Sequence, residues 1–200
     1  MRTKLARIAV AIAPFVLVAA GLAAAADKPK ADEMVNNPPY ANWSAFPVGT
    51  SVTQHETVKL DDGSTVAVAI TSKLLERTKE KVVVETTMGD AGAAAGAAAV
   101  GGSTTVTTFP AMVKMSAAQT PETQMKSVTE GTEAIEWKGK KYDTEWVEAV
   151  TQNGDETTTQ KVWTVKDLPG GLLRQTIVKK KGGKVVSESE LSLVEVKAGS

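Results

Sequence analysis

Short turn signals recur along this chain between segments of alternating polarity, and this recurrence limits the fold more than any other feature. Asp61-Asp62-Gly63, Asn153-Gly154 and Gly182-Gly183 each supply residues that tolerate positive φ, as tight β-hairpin turns require. Pro169-Gly170-Gly171 makes a fourth corner, because proline presets φ and the first glycine accepts the positive φ of a type II turn. Consecutive hairpins of this kind predict an antiparallel meander.

The flanking segments show the period of two that a half-buried strand requires. The clearest lies between Ser64 and Glu76, where Val66, Val68, Ile70 and Leu74 fall on one face. Long strands in meander order curl or split, so we expect an all-β or β-rich fold with a strongly curved antiparallel sheet, a half-barrel or open barrel. A β-sandwich is the alternative. In the half-barrel, the predicted lining of the concave, ligand-binding side is Val66, Val68, Ile70, Trp146 and Trp163, joined by Ile177 and Leu191.

The N-terminus has the pattern of an export signal. Three basic residues precede an apolar stretch from Ile8 to Leu22, and four alanines at 23–26 offer a cleavage site before Asp27. The apolar run is short for a membrane span and ends in small residues, which favours cleavage over anchoring. We therefore predict a signal peptide at 1–26 and an exported protein that is periplasmic or extracellular.

Charge and cysteine content narrow the classes of function. The chain has 23 basic and 23 acidic residues; without the three basic residues of the signal it carries 20 and 23, a net charge of −3. A protein with this small negative net charge has no overall electrostatic attraction for nucleic acid. The absence of cysteine means that no disulfide framework supports the exported fold, so stability must come from the core.

The remaining chain is predicted to be one domain at 40–200 after a disordered leader at 27–39. An aromatic segment, Tyr40 to Gly49, is expected to dock against the sheet rather than to form an exposed binding platform. The glycine- and alanine-rich stretch at 89–102 lacks the Gly-Lys-Ser/Thr of a phosphate loop and predicts a flexible loop. The segment Ala111 to Met115 predicts either one helical turn or an edge strand.

Three short motifs carry a family resemblance. They are Trp43-x-x-Phe46-x-x-Gly49 before the first strand, a glycine-lysine hairpin after Trp137, and the Trp163 strand that runs into Leu-Pro-Gly-Gly. Together they resemble a group of uncharacterised exported bacterial proteins, which in turn resemble the periplasmic lipoprotein-carrier (LolA-like) half-barrels over most of residues 43–197. The resemblance implies a curved sheet, closed by helices, that holds acyl chains in an apolar cavity.

No arrangement of residues indicates catalysis. His55 is the sole histidine and has no cysteine or second histidine to complete a metal site or triad. The paired carboxylates Asp61/Asp62, Glu133/Glu136, Glu145/Glu148 and Glu188/Glu190 lie in a turn or alternate with lysines and threonines, as solvated faces do. We expect no enzyme, no catalytic residue, no metal and no cofactor.

Two functions remain open from the sequence. The first is a non-enzymatic envelope protein that binds a lipid or other apolar ligand in its curved sheet. The second is a structural or protein-interaction module with a filled core and no ligand. The lysine-rich hairpin tip from Lys179 to Lys184 offers weak contact with an anionic membrane surface, although lysines also protect strand edges from mispairing. We expect a monomer.

Overall fold

The computed structural model describes residues 34–91, 102–114 and 124–199. The predicted signal peptide at 1–26, the first part of the leader and residues 92–101 of the glycine- and alanine-rich stretch lie outside these ranges. Residues 34–39, which the sequence placed in a disordered leader, instead contribute a short strand and the start of a helix. The hydrogen bond from the Asn37 N–H to the Ala111 carbonyl, at 2.9 Å, holds this segment to the body.

Eleven strands and one short helix make up the described chain. Proline at the first helical positions starts α1, because φ is preset there and a missing N–H costs nothing. The elements are β1 (Met34–Asn36), α1 (Pro38–Ser44), β2 (Ser51–Leu60), β3 (Thr65–Arg77), β4 (Lys81–Asp90), β5 (Ser103–Pro110), β6 (Met112–Lys114), β7 (Gln124–Trp137), β8 (Lys140–Asn153), β9 (Glu156–Thr164), β10 (Leu172–Lys181) and β11 (Lys184–Lys197). Within the described ranges, no helix is long and apolar enough to cross a membrane.

Nine strands form one antiparallel sheet in the order β5-β4-β3-β2-β11-β10-β9-β8-β7. It consists of two meanders, β2 to β5 and β7 to β11, which are joined where the first and last of these strands pair. The two outer strands, β5 and β7, do not pair with each other, so the sheet is open. The predicted fold class, an antiparallel open half-barrel, is confirmed. The short strands β1 and β6 pair separately, so Met112–Lys114 is a strand and not a helical turn.

A single side-chain contact shows how strongly the sheet curves. The indole N–H of Trp137, at the end of β7, donates to the Leu193 carbonyl on β11 at 2.8 Å. Three strands separate β7 from β11 in the sheet. At about 4.8 Å per strand, a flat sheet would hold them roughly 19 Å apart, which a tryptophan side chain cannot span. The sheet therefore curls until the β7–β8 hairpin reaches β11.

The main core lies at the end of the sheet where α1, the corner between β9 and β10 and the β7–β8 hairpin meet. Trp43 of α1 is buried there with aliphatic residues of β2, β3, β4, β10 and β11. The corner fits closely against α1: a Cβ on Gly170 would lie 3.3 Å from the Trp43 ring and one on Gly171 2.9 Å from the Asn42 amide. Both glycines also have φ of 73°. The glycines of this corner therefore allow both the close approach of α1 and the positive φ of the turn.

Candidate functional site

The strand register divides the side chains of the sheet between two faces. Residues directly opposite each other on neighbouring strands share a face, and successive residues of one strand alternate. From Val68 on β3, the register leads through Glu56, Leu191 and Gln175 to Val162 on β9. We call this side the aliphatic face; it also carries Val66, Ile70, Ile177 and Val147. We call the opposite side the tryptophan face, because it carries Trp146 and Trp163.

The five residues predicted to line one ligand site are thus divided between the two faces. Val66, Val68 and Ile70 lie together on the aliphatic face of β3. Trp146 and Trp163 lie directly opposite each other on β8 and β9, on the tryptophan face. Ile177 and Leu191, which the sequence added to this group, lie with the aliphatic residues. The ligand-binding role of the five residues stays a prediction.

The aliphatic face holds a second hydrophobic cluster away from the main core. Ile70, Leu172 and Leu191 are buried in it, and Val68, Met88 and Val162 pack around them while remaining partly exposed. Val66 and Ile177 continue the apolar surface towards the opposite end of the sheet and are half-buried. A surface of this composition can take up an apolar chain by burial alone, at about 25 cal/mol for each Å² removed from water.

Two polar side chains interrupt this face on β2. Gln54 is buried, and its side-chain amide donates to the Leu172 carbonyl at 3.1 Å. Glu56 is half-buried; burial raises the pKa of its carboxyl above the usual value of 4.5, and a hydrogen bond with the Ser189 side chain opposes that rise. Sequence reasoning assigned no role to Glu56, because its surroundings depend on the distant strand β11.

The tryptophan face is organised by cations packed against aromatic rings. The Lys161 ammonium lies 4.1 Å from the Trp146 ring centre and 4.7 Å from that of Trp163. The Arg174 guanidinium lies 5.2 Å from the Trp163 ring centre and bonds Glu190 at 2.9 Å. The Trp163 indole N–H donates to a Glu133 carboxylate oxygen. This arrangement stabilises the face and buries Trp163 without joining it to either hydrophobic cluster.

The groups that acid–base or metal chemistry would use are dispersed. His55 lies half-buried on the tryptophan face of β2, opposite Ser192 and Ala69. Glu188 and Glu190 share that face, as their spacing predicts, and Glu190 pairs with Arg174. Across the described ranges, no group of three histidine, cysteine or acidic side chains is placed to hold a metal ion.

A small cavity lies at the end of the sheet opposite the main core. It has a volume of about 220 Å³ and is lined by the end of β2 and the start of β11, including Lys59, Asp61 and Glu188. Ligand cavities usually enclose about 300–1,000 Å³ and are mostly apolar. Its size and charged lining make this cavity a poor candidate for an apolar ligand, and the aliphatic face is the better one.

The chain is thus an open antiparallel half-barrel with a partly exposed apolar surface on one face of its sheet. Solved structures similar to this chain include a Bacteroides fragilis protein described as exported with a YmcC-like fold (TM-score 0.43, 13% identity, 76% of this chain and 97% of that one). Another is described as a lipoprotein of Parabacteroides distasonis (TM-score 0.46, 11% identity, 76% and 97%). A LolA superfamily protein from Nitrosomonas europaea matches with a TM-score of 0.26 and 10% identity over 83% and 94%. The predicted resemblance to exported proteins and LolA-like half-barrels is confirmed. No protein-family model matches the chain, and no curated protein matches it.

Proposed function

We propose that this chain is a non-enzymatic bacterial envelope protein that binds a lipid or other hydrophobic ligand on the aliphatic face of its open sheet. The observation that carries the proposal is the half-buried apolar surface around Val68, Met88 and Val162, which extends beyond the buried cluster at Ile70 and Leu191. Leaving these side chains partly in water forfeits hydrophobic free energy that an acyl chain laid over them would recover.

The N-terminal pattern of basic, apolar and small residues supports an exported location for this protein. We propose that signal peptidase removes residues 1–26 and that the mature monomer acts in the periplasm or outside the cell. Four exposed lysines, Lys179, Lys180, Lys181 and Lys184, cluster at the β10–β11 hairpin. We propose that they make weak contact with anionic headgroups, each contributing about 1 kcal/mol near the membrane surface.

Native mass spectrometry of the processed protein, purified from its own host, tests the ligand directly, and a fluorescent fatty acid titration tests uptake. A Val66→Thr and Val68→Thr double variant makes the aliphatic face polar at nearly constant volume, and we expect uptake to weaken. Ala67→Ser is the matched control, because Ala67 lies between them on the tryptophan face. No co-purifying lipid together with no uptake, or equal loss in both variants, would refute the proposal.

A second function, an interaction module without ligand, is favoured by the outer strand β5. Its residues from Ser103 to Thr108 are all exposed and carry no charge, and within the described ranges β5 pairs only with β4. The other outer strand, β7, carries Lys126, Glu130, Glu133 and Glu136, the kind of charges that guard an edge. A photo-crosslinker placed at Val106 in living cells would give a discrete protein adduct if β5 is a docking edge, and one at Lys126 would not.

A further inference from the structure

We propose that the ligand of the aliphatic face carries a protonated amine, which the carboxylate of Glu56 binds. This inference rests on the proposed function, since it specifies the chemistry of the ligand at the same site. It follows from where β2, β3 and β11 place this one charged group relative to its neighbours.

Glu56 is surrounded on the aliphatic face by side chains that do not titrate. Val68 on β3 and Leu191 on β11 lie directly opposite it. The remaining positions around it, along its own strand and diagonally on the two neighbouring strands, are Gln54, Val58, Val66, Ile70, Ser189 and Leu193. None of these eight side chains can supply a positive charge to balance the carboxylate.

Charges on the tryptophan face are placed differently. There Lys59 lies directly opposite Glu188, Lys73 opposite Glu85, and Lys161 opposite Glu148. Directly opposed side chains have Cβ atoms about 5 Å apart, close enough for opposite charges to attract. These charges are therefore balanced across neighbouring strands, whereas Glu56 lies between two apolar residues on the aliphatic face.

Among the described residues, no cationic side chain occupies a position around Glu56, and a half-buried carboxylate in such surroundings can bind a ligand that brings the cation. The Ser189 side chain supplies a hydrogen bond but no charge, and desolvation raises the pKa of the Glu56 carboxyl, as expected for a carboxylate that lacks a compensating charge. A charge-assisted hydrogen bond contributes more than a neutral one. An alkyl chain lying on Met88 of β4 and Val68 of β3 would place an amine at its end beside β2, the next strand of the sheet.

Three probes of equal chain length separate the contribution of the head group from that of the chain: dodecylamine, dodecanol and dodecanoate. Each displaces a bound fluorescent alkyl probe without charge from the processed protein at pH 7. We expect dodecylamine to bind at least about tenfold more tightly than dodecanol, the effect of one charge-assisted bond, and dodecanoate to bind most weakly. In Glu56→Gln, the amine should fall to the affinity of the alcohol while the alcohol keeps its own. Glu85→Gln, on the tryptophan face, is the matched control and should change neither.

The outcomes distinguish this inference from the proposed function. If dodecanol binds but dodecylamine binds no better, or if Glu56→Gln leaves the preference for the amine intact, the inference is wrong and the proposed function stands. If none of the three probes binds, both are wrong. Circular dichroism of Glu56→Gln confirms that the variant is folded, and a loss of the amine preference as pH falls through the pKa of Glu56 provides an independent check.

Discussion

Replacing Leu74 with alanine tests whether the core lies where the sheet, α1 and the β9–β10 corner meet. Leu74 is fully buried in the main cluster, and its backbone N–H donates to the Thr50 carbonyl at 2.9 Å. Truncating a buried leucine costs the transfer energy of the lost atoms plus that of the cavity, about 2–5 kcal/mol. Since domains are stable by only about 5–15 kcal/mol, this is a large fraction of the total.

The neighbouring residue supplies a control of identical chemistry. Leu75 is 39% exposed and lies at the irregularity in the β3–β4 register. We expect Leu75→Ala to change the free energy of unfolding far less than Leu74→Ala does. Urea denaturation followed by tryptophan fluorescence measures both, with the m-value as a check that the transition remains comparable. Equal losses in the two variants, or a larger loss for Leu75→Ala, would refute the placement of the core.

Three other substitutions test particular contacts, each by urea denaturation. Gly131→Ala would place a Cβ 2.7 Å from the Trp146 ring, so we expect a loss of about 1–3 kcal/mol that shrinks in a Trp146→Ala background. The pKa of the Glu56 carboxyl is raised in the folded state, so near that pKa the folded protein binds more protons than the unfolded protein. The free energy of unfolding of the wild type should therefore fall as pH rises from 4.5 through the folded pKa. Glu56→Gln should not show this fall. Lys161→Gln removes a cation from two indole rings and should cost about 0.5–2 kcal/mol, whereas Lys179→Gln at the exposed tip should change stability by less than about 0.5 kcal/mol.

Local pairing could be predicted from the sequence because turn chemistry fixes hairpin register. In the β8–β9 hairpin, Asn153 pairs with Glu156 across a two-residue turn at Gly154 and Asp155. Counting seven residues outward from each of these partners leads to Trp146 and Trp163, which are indeed opposite each other. The position of Lys161 between the two rings follows from the same count. Turn chemistry is therefore enough to place the two tryptophans opposite each other.

The relation between distant strands could not be predicted in this way. No turn connects β2 to β11, which are joined only by pairing between the two meanders. Alternation identifies two faces on each strand but does not say which face of β3 continues into which face of β9. Alternation alone therefore groups Trp146 and Trp163 with Val66, Val68 and Ile70, and only the complete register separates them.

The β2–β11 register is also what gives Glu56 its apolar surroundings. A slip of one residue exchanges the faces of a strand, so it would bring the row of Glu188, Glu190 and Ser192 beside Glu56 and expose Leu191 and Leu193. That arrangement would set like charges side by side and lose the burial of two leucines, each contributing roughly 1.5–3 kcal/mol. The hydrophobic residues of β11 therefore select the observed register, and the isolation of Glu56 on the aliphatic face is a consequence of that selection. An amine-binding role for Glu56 uses a position that the packing of the sheet already fixes.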